Sequence, residues 1–154
     1  MSFTVDLSQL VVLQRDIRSF GEAVKDEVAM AGVAAGAKVI YDEARARAPV
    51  SEEVHIFYGR DSLRTGVTYT FAPGNLRDSI YRAYSPERSG PVRKEYSISW
   101  NHTQAPYGYM VEFGTSNASA SPFLGPSLSM LPEAYTSAKV AMGAQLMTIQ
   151  GRAL

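Results

Sequence analysis

The 154-residue sequence predicts an α+β fold in which a long N-terminal helix and a C-terminal helix pack on a small antiparallel β-sheet, with a projecting β-hairpin. Three observations carry that expectation. Apolar residues recur at helical spacing through most of the first 48 positions and stop at Pro49. Residues 92–101 alternate, with Tyr96, Ile98 and Trp100 pointing one way and Glu95, Ser97 and Ser99 the other. Val54, Ile56 and Tyr58, then Val67, Tyr69 and Phe71, repeat at period two around Gly59, Asp61, Ser62 and Gly66. An amphipathic helix and a one-faced sheet each need the other as cover.

In chain order, residues 2–5 suit a short extended piece, and Asp6 or Ser8 suits the N-cap of a helix marked by Leu10, Leu13, Ile17 and Phe20. Gly21 offers a bend. The pattern resumes over residues 22–48, with Val24, Val28, Ala31, Ala35 and Val39 as the stripe and most charges off it. Residues 29–37 are only Ala, Gly, Met and Val, so a neighbouring element can come close there. Pro49 lacks an amide donor and disfavours helical angles at Ala48, which ends the helix.

Residues 51–73 are expected to form the hairpin, an insertion whose apolar alternation exceeds what a loop in water needs. One of its faces is therefore expected against a partner subunit. Pro73, Gly74 and Asn75 make a turn into a predicted strand over residues 76–84, with Leu76, Asp78, Ile80, Arg82 and Tyr84 on one face. That strand should pair antiparallel with residues 92–101.

The chain is organised around residues 106–126. Tyr107, Met110, Val111 and Phe113 fall on one side of a short helical turn. Gly114 closes the turn from a left-handed conformation, and Thr115, Ser116 and Asn117 offer oxygens to freed backbone groups. Residues 115–121 read as a flexible loop ending in the Pro122 and Phe123 anchor before Pro126. A last helix is broken near Pro132 or starts at it, with Tyr135, Val140, Met142, Leu146 and Ile149 as packing positions and a frayed end.

The length predicts one domain over residues 1–154. Fifteen basic and 15 acidic side chains balance, so no bulk field draws in nucleic acid or an anionic membrane. With no cysteine, disulfides and thiol chemistry are excluded, which suits assembly in a reducing cytoplasm. No run approaches the ~18 apolar residues of a membrane span, and no secretion signal is expected at the start. Beyond residue 100 the only formal charges are Glu112, Glu133, Lys139 and Arg152, so this third must be core or face another subunit.

Catalytic signals are sparse. His55 and His102 lack metal-ligand spacing, and there is no phosphate loop, nucleophile elbow or dinucleotide fingerprint. Asp42 and Glu43 diverge by ~100° on a helix and cannot chelate one ion together, whereas Glu43 can meet Arg47 in an ion pair. Glu112 lies between Val111 and Phe113, both expected to be buried. Its carboxylate should accept backbone or tyrosine hydroxyl hydrogen bonds, or pair with Arg45, Arg47 or Arg77. Acids interleave with the arginines of residues 45–93, so they give no net positive footprint for DNA. No catalytic, cofactor-binding or metal-binding residue is expected.

Four stretches, in order, carry a family resemblance. They are residues 36–50, Gly-Ala-Lys-Val-Ile-Tyr-Asp-Glu-Ala-Arg-Ala-Arg-Ala-Pro-Val; 74–80, Gly-Asn-Leu-Arg-Asp-Ser-Ile; 107–115, Tyr-Gly-Tyr-Met-Val-Glu-Phe-Gly-Thr; and 121–128, Ser-Pro-Phe-Leu-Gly-Pro-Ser-Leu. Together they resemble the tail-component family of long-tailed bacteriophages, the small tail-completion or head-tail joining proteins related to minor tail protein Z of phage lambda. The family often passes from the Ala-Pro end to the Gly-Asn-Leu turn in a few residues, whereas residues 51–73 intervene here.

The resemblance implies a structural virion protein of the neck or head-proximal tail end, without cofactor or catalytic site. Its expected partners are copies of itself in a ring, by tail symmetry a hexamer, and neighbouring neck and tail proteins. Genome DNA would pass through the lumen without sequence-specific binding, and no membrane is involved. Assembly residues carried by the matching motifs are Pro49, Gly74, Asn75, Leu76, Tyr107, Glu112, Phe113, Gly114, Thr115, Pro122, Phe123 and Pro126. The nearest alternative is a tail terminator ring. From other classes, the alternatives are a metal-dependent nucleic-acid-processing enzyme using Glu112 and the arginines, and a toxin or regulatory binding domain.

Overall fold

A computed structural model describes residues 8–59, 61–91 and 93–152 of the chain. The expected extended piece at residues 2–5, the Asp6 cap, the side chains of Leu10, Leu13 and Ile17, and the last two residues lie outside what it describes. The fold is α+β, with long helices at both ends and two small antiparallel sheets of two strands each.

Helix α1 spans Ser8–Arg47, 40 residues, and passes through Gly21 without interruption. Its last turn closes as the Ala48 N–H donates to the Ala44 carbonyl at 3.0 Å, and Pro49 cannot extend it. The deepest line on α1 is Gly32, Ile40 and Ala44, continued by Ala48 just past its end, while the expected stripe at Val24, Val28, Ala31, Ala35 and Val39 is half-buried beside it. Helix α6, Leu131–Arg152, runs antiparallel along α1. Gly36 lies against Ala134 and Ala138, Gly32 against Met142, and Gln145 Nε2 donates to Glu27 Oε2 at 3.2 Å. Small residues thus bring the two backbones together, as the composition of residues 29–37 predicts.

That close approach also corrects the packing face of α6. Tyr135, Val140 and Leu146 are exposed, Met142 and Ile149 are half-buried, and Ala134 is buried. A seam built on glycine selects the face whose side chains are short, or flexible like Met142, and turns the bulky residues outward. Pro132 is the second residue of α6, where a missing amide costs nothing, and the helical turn Leu124–Ser127 runs into it through a 3-10 turn, Leu128–Met130, so the expected break in the helical run falls just before Pro132.

The expected hairpin forms from strand β1, His55–Tyr58, and strand β2, Thr68–Phe71, paired with His55 opposite Phe71 and Tyr58 opposite Thr68. A single helical turn, α2 (Ser62–Thr65), occupies its tip. The predicted strand over residues 76–84 is corrected in its first half. Asn75–Ser79 is a helical turn, α3, and only Ile80–Tyr84 is strand, β3. Gly74 at φ 81° redirects the chain, the Asp78 N–H donates to the Gly74 carbonyl at 2.9 Å, and Ser79 Oγ donates to the Leu76 carbonyl at 2.7 Å. Leu76 and Ile80 are four apart, a spacing that shares a face in a helix as well as in a strand.

Strand β4, Tyr96–Trp100, pairs with β3 through Ile80 opposite Trp100 and Tyr84 opposite Tyr96. Its alternation holds: the Tyr96, Ile98 and Trp100 side faces α1, and the serines face away. Arg82 shares that inner face, where its guanidinium Nη1 donates to the Ala34 carbonyl at 2.8 Å and lies 6.0 Å from the Tyr41 ring centre. The core joins Ala44, Ala48, Leu76, Ile80, Trp100, Ala105 and Phe123, with Tyr41, Ile98, Tyr107, Val111 and Leu124 packed on it. Among the described residues no helix is long and apolar enough to cross a membrane.

Candidate assembly site

The predicted assembly residues divide into two neighbouring groups. The first surrounds a groove of about 490 Å³. Pro49 enters it from the end of α1, Gly74, Asn75 and Leu76 from the start of α3, and Tyr107 and Thr115 from either end of helix α4, Gly108–Phe113. Residues far apart in sequence meet here because α1, the α3 turn and α4 all converge on the core.

Tyr107 links the walls of the groove. Its ring lies 5.0 Å from His55, edge-on, 5.0 Å from Phe71 and 6.1 Å from Phe57. Its hydroxyl accepts a hydrogen bond from Asn75 Nδ2 at 3.2 Å, and the same amide donates to the Gln104 carbonyl at 2.8 Å. One tyrosine therefore fastens the hairpin to the Gly-Asn-Leu turn. The hairpin side of this contact is what sequence reasoning missed. His55 and Phe57 are in the opposite phase to Val54, Ile56 and Tyr58, and cross-strand pairing puts Tyr69 and Phe71 with them. The alternation contained the signal, but only the register could say which phase turns inward.

The second group is built on Glu112, 7% exposed. Its Oε2 accepts the N–H groups of Phe123 at 2.8 Å and Leu124 at 3.0 Å, and its Oε1 accepts the Gly125 N–H at 2.8 Å. These donors open the short helix α5, Leu124–Ser127, so the carboxylate caps it from a distant part of the chain. Burial pushes the Glu112 carboxyl up, and the bonds from Leu124, Phe123 and Gly125 outweigh it, so its pKa lies below the usual carboxylate value. The expectation of backbone hydrogen bonds holds, and the arginine partners do not. Arg45 and Arg77 both bind Asp78, at 2.8 and 3.1 Å, while Arg47 takes the expected ion pair with Glu43 at 2.6 Å.

Phe123 is 0% exposed, the anchor its position implies, whereas Pro122 is exposed and Pro126 half-buried. Gly114 has φ 77° and ψ 179°, a region nearly closed to other residues, and a Cβ there would sit 2.8 Å from the Ala120 nitrogen. Thr115 Oγ1 accepts the N–H groups of Asn117 at 3.2 Å and Ala118 at 3.0 Å, as a turn-forming threonine should. Phe113 corrects an expectation, being 63% exposed. The buried positions of α4 are Gly108 and Glu112, four apart, which leaves Tyr109 and Phe113 to meet on the outside as tilted rings, centres 4.7 Å apart. Gly108 is obligatory for another reason: a Cβ would fall 2.7 Å from Trp100 Cδ1.

Val54, Ile56 and Tyr58 remain 58, 55 and 66% exposed on the outer face of the hairpin. Ser51 Oγ lies 3.4 Å from His55 Nδ1, and His102 lies exposed beside Trp100, with ring centres 4.8 Å apart. Among the described residues no group of three or more His, Asp or Glu is placed to hold a metal ion. No family model, curated protein or solved structure matches the chain.

Proposed function

We propose that the chain is a structural subunit of the neck or head-proximal tail end of a long-tailed phage, completing the tail and joining it to the head as a ring of identical copies. The observation that carries this reading is the outer face of the hairpin. A two-stranded ribbon that keeps three large apolar side chains at more than half exposure is a surface made for cover. The scarcity of formal charge beyond residue 100 supports the same reading, as do the exposed apolar residues on the outer side of α6. The motif residues act as scaffold: Tyr107 sets the hairpin, Glu112 sets α5, and glycines at 74, 108 and 114 let backbones close around them.

The test is a phage mutant from which the gene for the chain has been removed. Heads and tails should then accumulate unjoined, and labelled protein should be found at the neck or the head-proximal tail end of normal particles. Complete, infectious particles made without it would defeat the proposal. Metal-dependent DNA cleavage by the purified protein, lost in Glu112→Ala, would favour the enzymatic alternative instead.

A further inference from the structure

Strand β4 has one open side. Its sheet has two strands, so β3 covers one edge and, among the described residues, no strand pairs with the other. The sequence Tyr-Ser-Ile-Ser-Trp carries no proline or lysine to guard that edge, and its register with β3 is continuous, without a bulge. Beside it lies a hollow of about 500 Å³, walled by Tyr96, Ile98 and Trp100 of β4, by Ile40 of α1, and by Leu124 and Leu128. Among the described residues, the only charged group on its wall is Glu112, whose carboxylate is already held by three backbone N–H groups.

Strand β1 has the matching character. It too belongs to a two-stranded sheet, with no strand on its other edge among the described residues, and Ile56 and Tyr58 project from one face opposite Thr70 and Thr68, with Val54 just before the strand. Among the described residues, Ile56, Tyr58, Thr68 and Thr70 on that face and the open part of the hollow present no formal charge, so the two can be brought together without stranding an ion. β1, four residues, is one residue shorter than β4, five, so its whole length can pair along that edge. Two-stranded ribbons are marginal alone, and adding a strand to an edge supplies backbone bonds while alternate side chains enter pockets.

We infer that β1 of one copy adds to the open edge of β4 in a second copy, with Ile56 entering the hollow beside Ile98, to give an intermolecular sheet in the order β2-β1-β4-β3. The inference rests on the reading that copies of this chain assemble with one another. Donor and acceptor surfaces differ, so each copy can give one contact and receive one, the head-to-tail arrangement that forms a ring where the rotation between copies closes. A single ribbon face is smaller than the ~800 Å² per partner of a stable pair, so isolated pairs are weak and closure holds the assembly.

The chain has no cysteine, which makes thiol mapping clean. Two single-cysteine proteins, Ile56→Cys and Ile98→Cys, carry the thiol at the middle of each strand, so parallel and antiparallel addition both bring them together. On mixing and oxidation, the mixed disulfide should exceed that of Ile56→Cys with Val140→Cys, on the outer side of α6, by roughly tenfold, because bound thiols do not rely on chance encounter. Adding Tyr58→Lys to the donor should remove the excess while far-ultraviolet circular dichroism stays unchanged. If Ile98→Cys does not fold, Tyr96→Cys on the same face of β4 takes its place, paired in turn with Tyr58→Cys for antiparallel and Val54→Cys for parallel addition. Oligomers by light scattering with only control-level cross-linking would overturn strand addition and leave the assembly reading standing. A monomer at all concentrations, with control-level cross-linking, would overturn both.

Discussion

The backbone N–H of Phe123 donates to Glu112 Oε2 at 2.8 Å, and this bond fixes the buried Phe123 ring and the start of α5 against α4. With the bonds from Leu124 and Gly125 it gives one carboxylate three donors.

Glu112→Gln keeps the shape, loses the charge and sets an amide N–H₂ against backbone donors. Chemical denaturation at neutral pH should show a loss of ~2–4 kcal/mol, since hydrogen bonds to a charged group contribute ~1.5–3 kcal/mol each and some of these survive. The sign of the pH dependence follows from the lowered pKa. The stability that Glu112 adds is fully present above its ordinary unfolded value and is lost as pH falls through the lower folded value. The gap between parent and Glu112→Gln should therefore be flat at neutral pH and narrow on acidification. A gap that widened in acid would refute the assignment.

Glu112 was legible in the sequence because a lone carboxylate beside Val111 must be satisfied if the turn is buried. Its partners were not, since backbone donors carry no side-chain signature. Leu76 and Ile80 show a different limit: both strand and helical turn bury them together, and only the Gly74 turn decides. On α6 the large residues drew attention, whereas the seam with Gly32 and Gly36 chose Ala134 and Met142. The convergence of Pro49, Asn75, Tyr107 and Thr115 on one groove is tertiary, and no local pattern encodes it.

Tyr107 should separate hairpin docking from core stability. Tyr107→Phe removes the acceptor of the Asn75 amide and should cost ~0.5–1.5 kcal/mol. Tyr107→Ala also deletes the ring that His55, Phe57 and Phe71 pack against. Hydrogen exchange should then quicken in β1 and β2 while β3 and β4 keep their protection. Equal loss in both sheets would show that the hairpin is not independently hung on this residue.

Two glycines of α1 should respond with opposite sign. At Gly21 a Cβ meets nothing within 4 Å, so Gly21→Ala should raise thermal stability by ~0.5–1 kcal/mol through helix propensity. At Gly32 a Cβ would come within 2.6 Å of Met142 Cγ, so Gly32→Ala should be destabilising. A double-mutant cycle with Met142→Ala should show favourable coupling between the two sites. Additive effects would mean that the helices are not in contact at this point.

The chain's single tryptophan, Trp100, is buried against Gly108 of α4 and meets the Phe123 ring edge-on at 5.8 Å. Its fluorescence is thus a built-in reporter for the junction of sheet, α4 and anchor. The emission should redden when that junction loosens and stay constant when the hairpin swings free, letting one optical signal distinguish collapse of the body from motion of its arm.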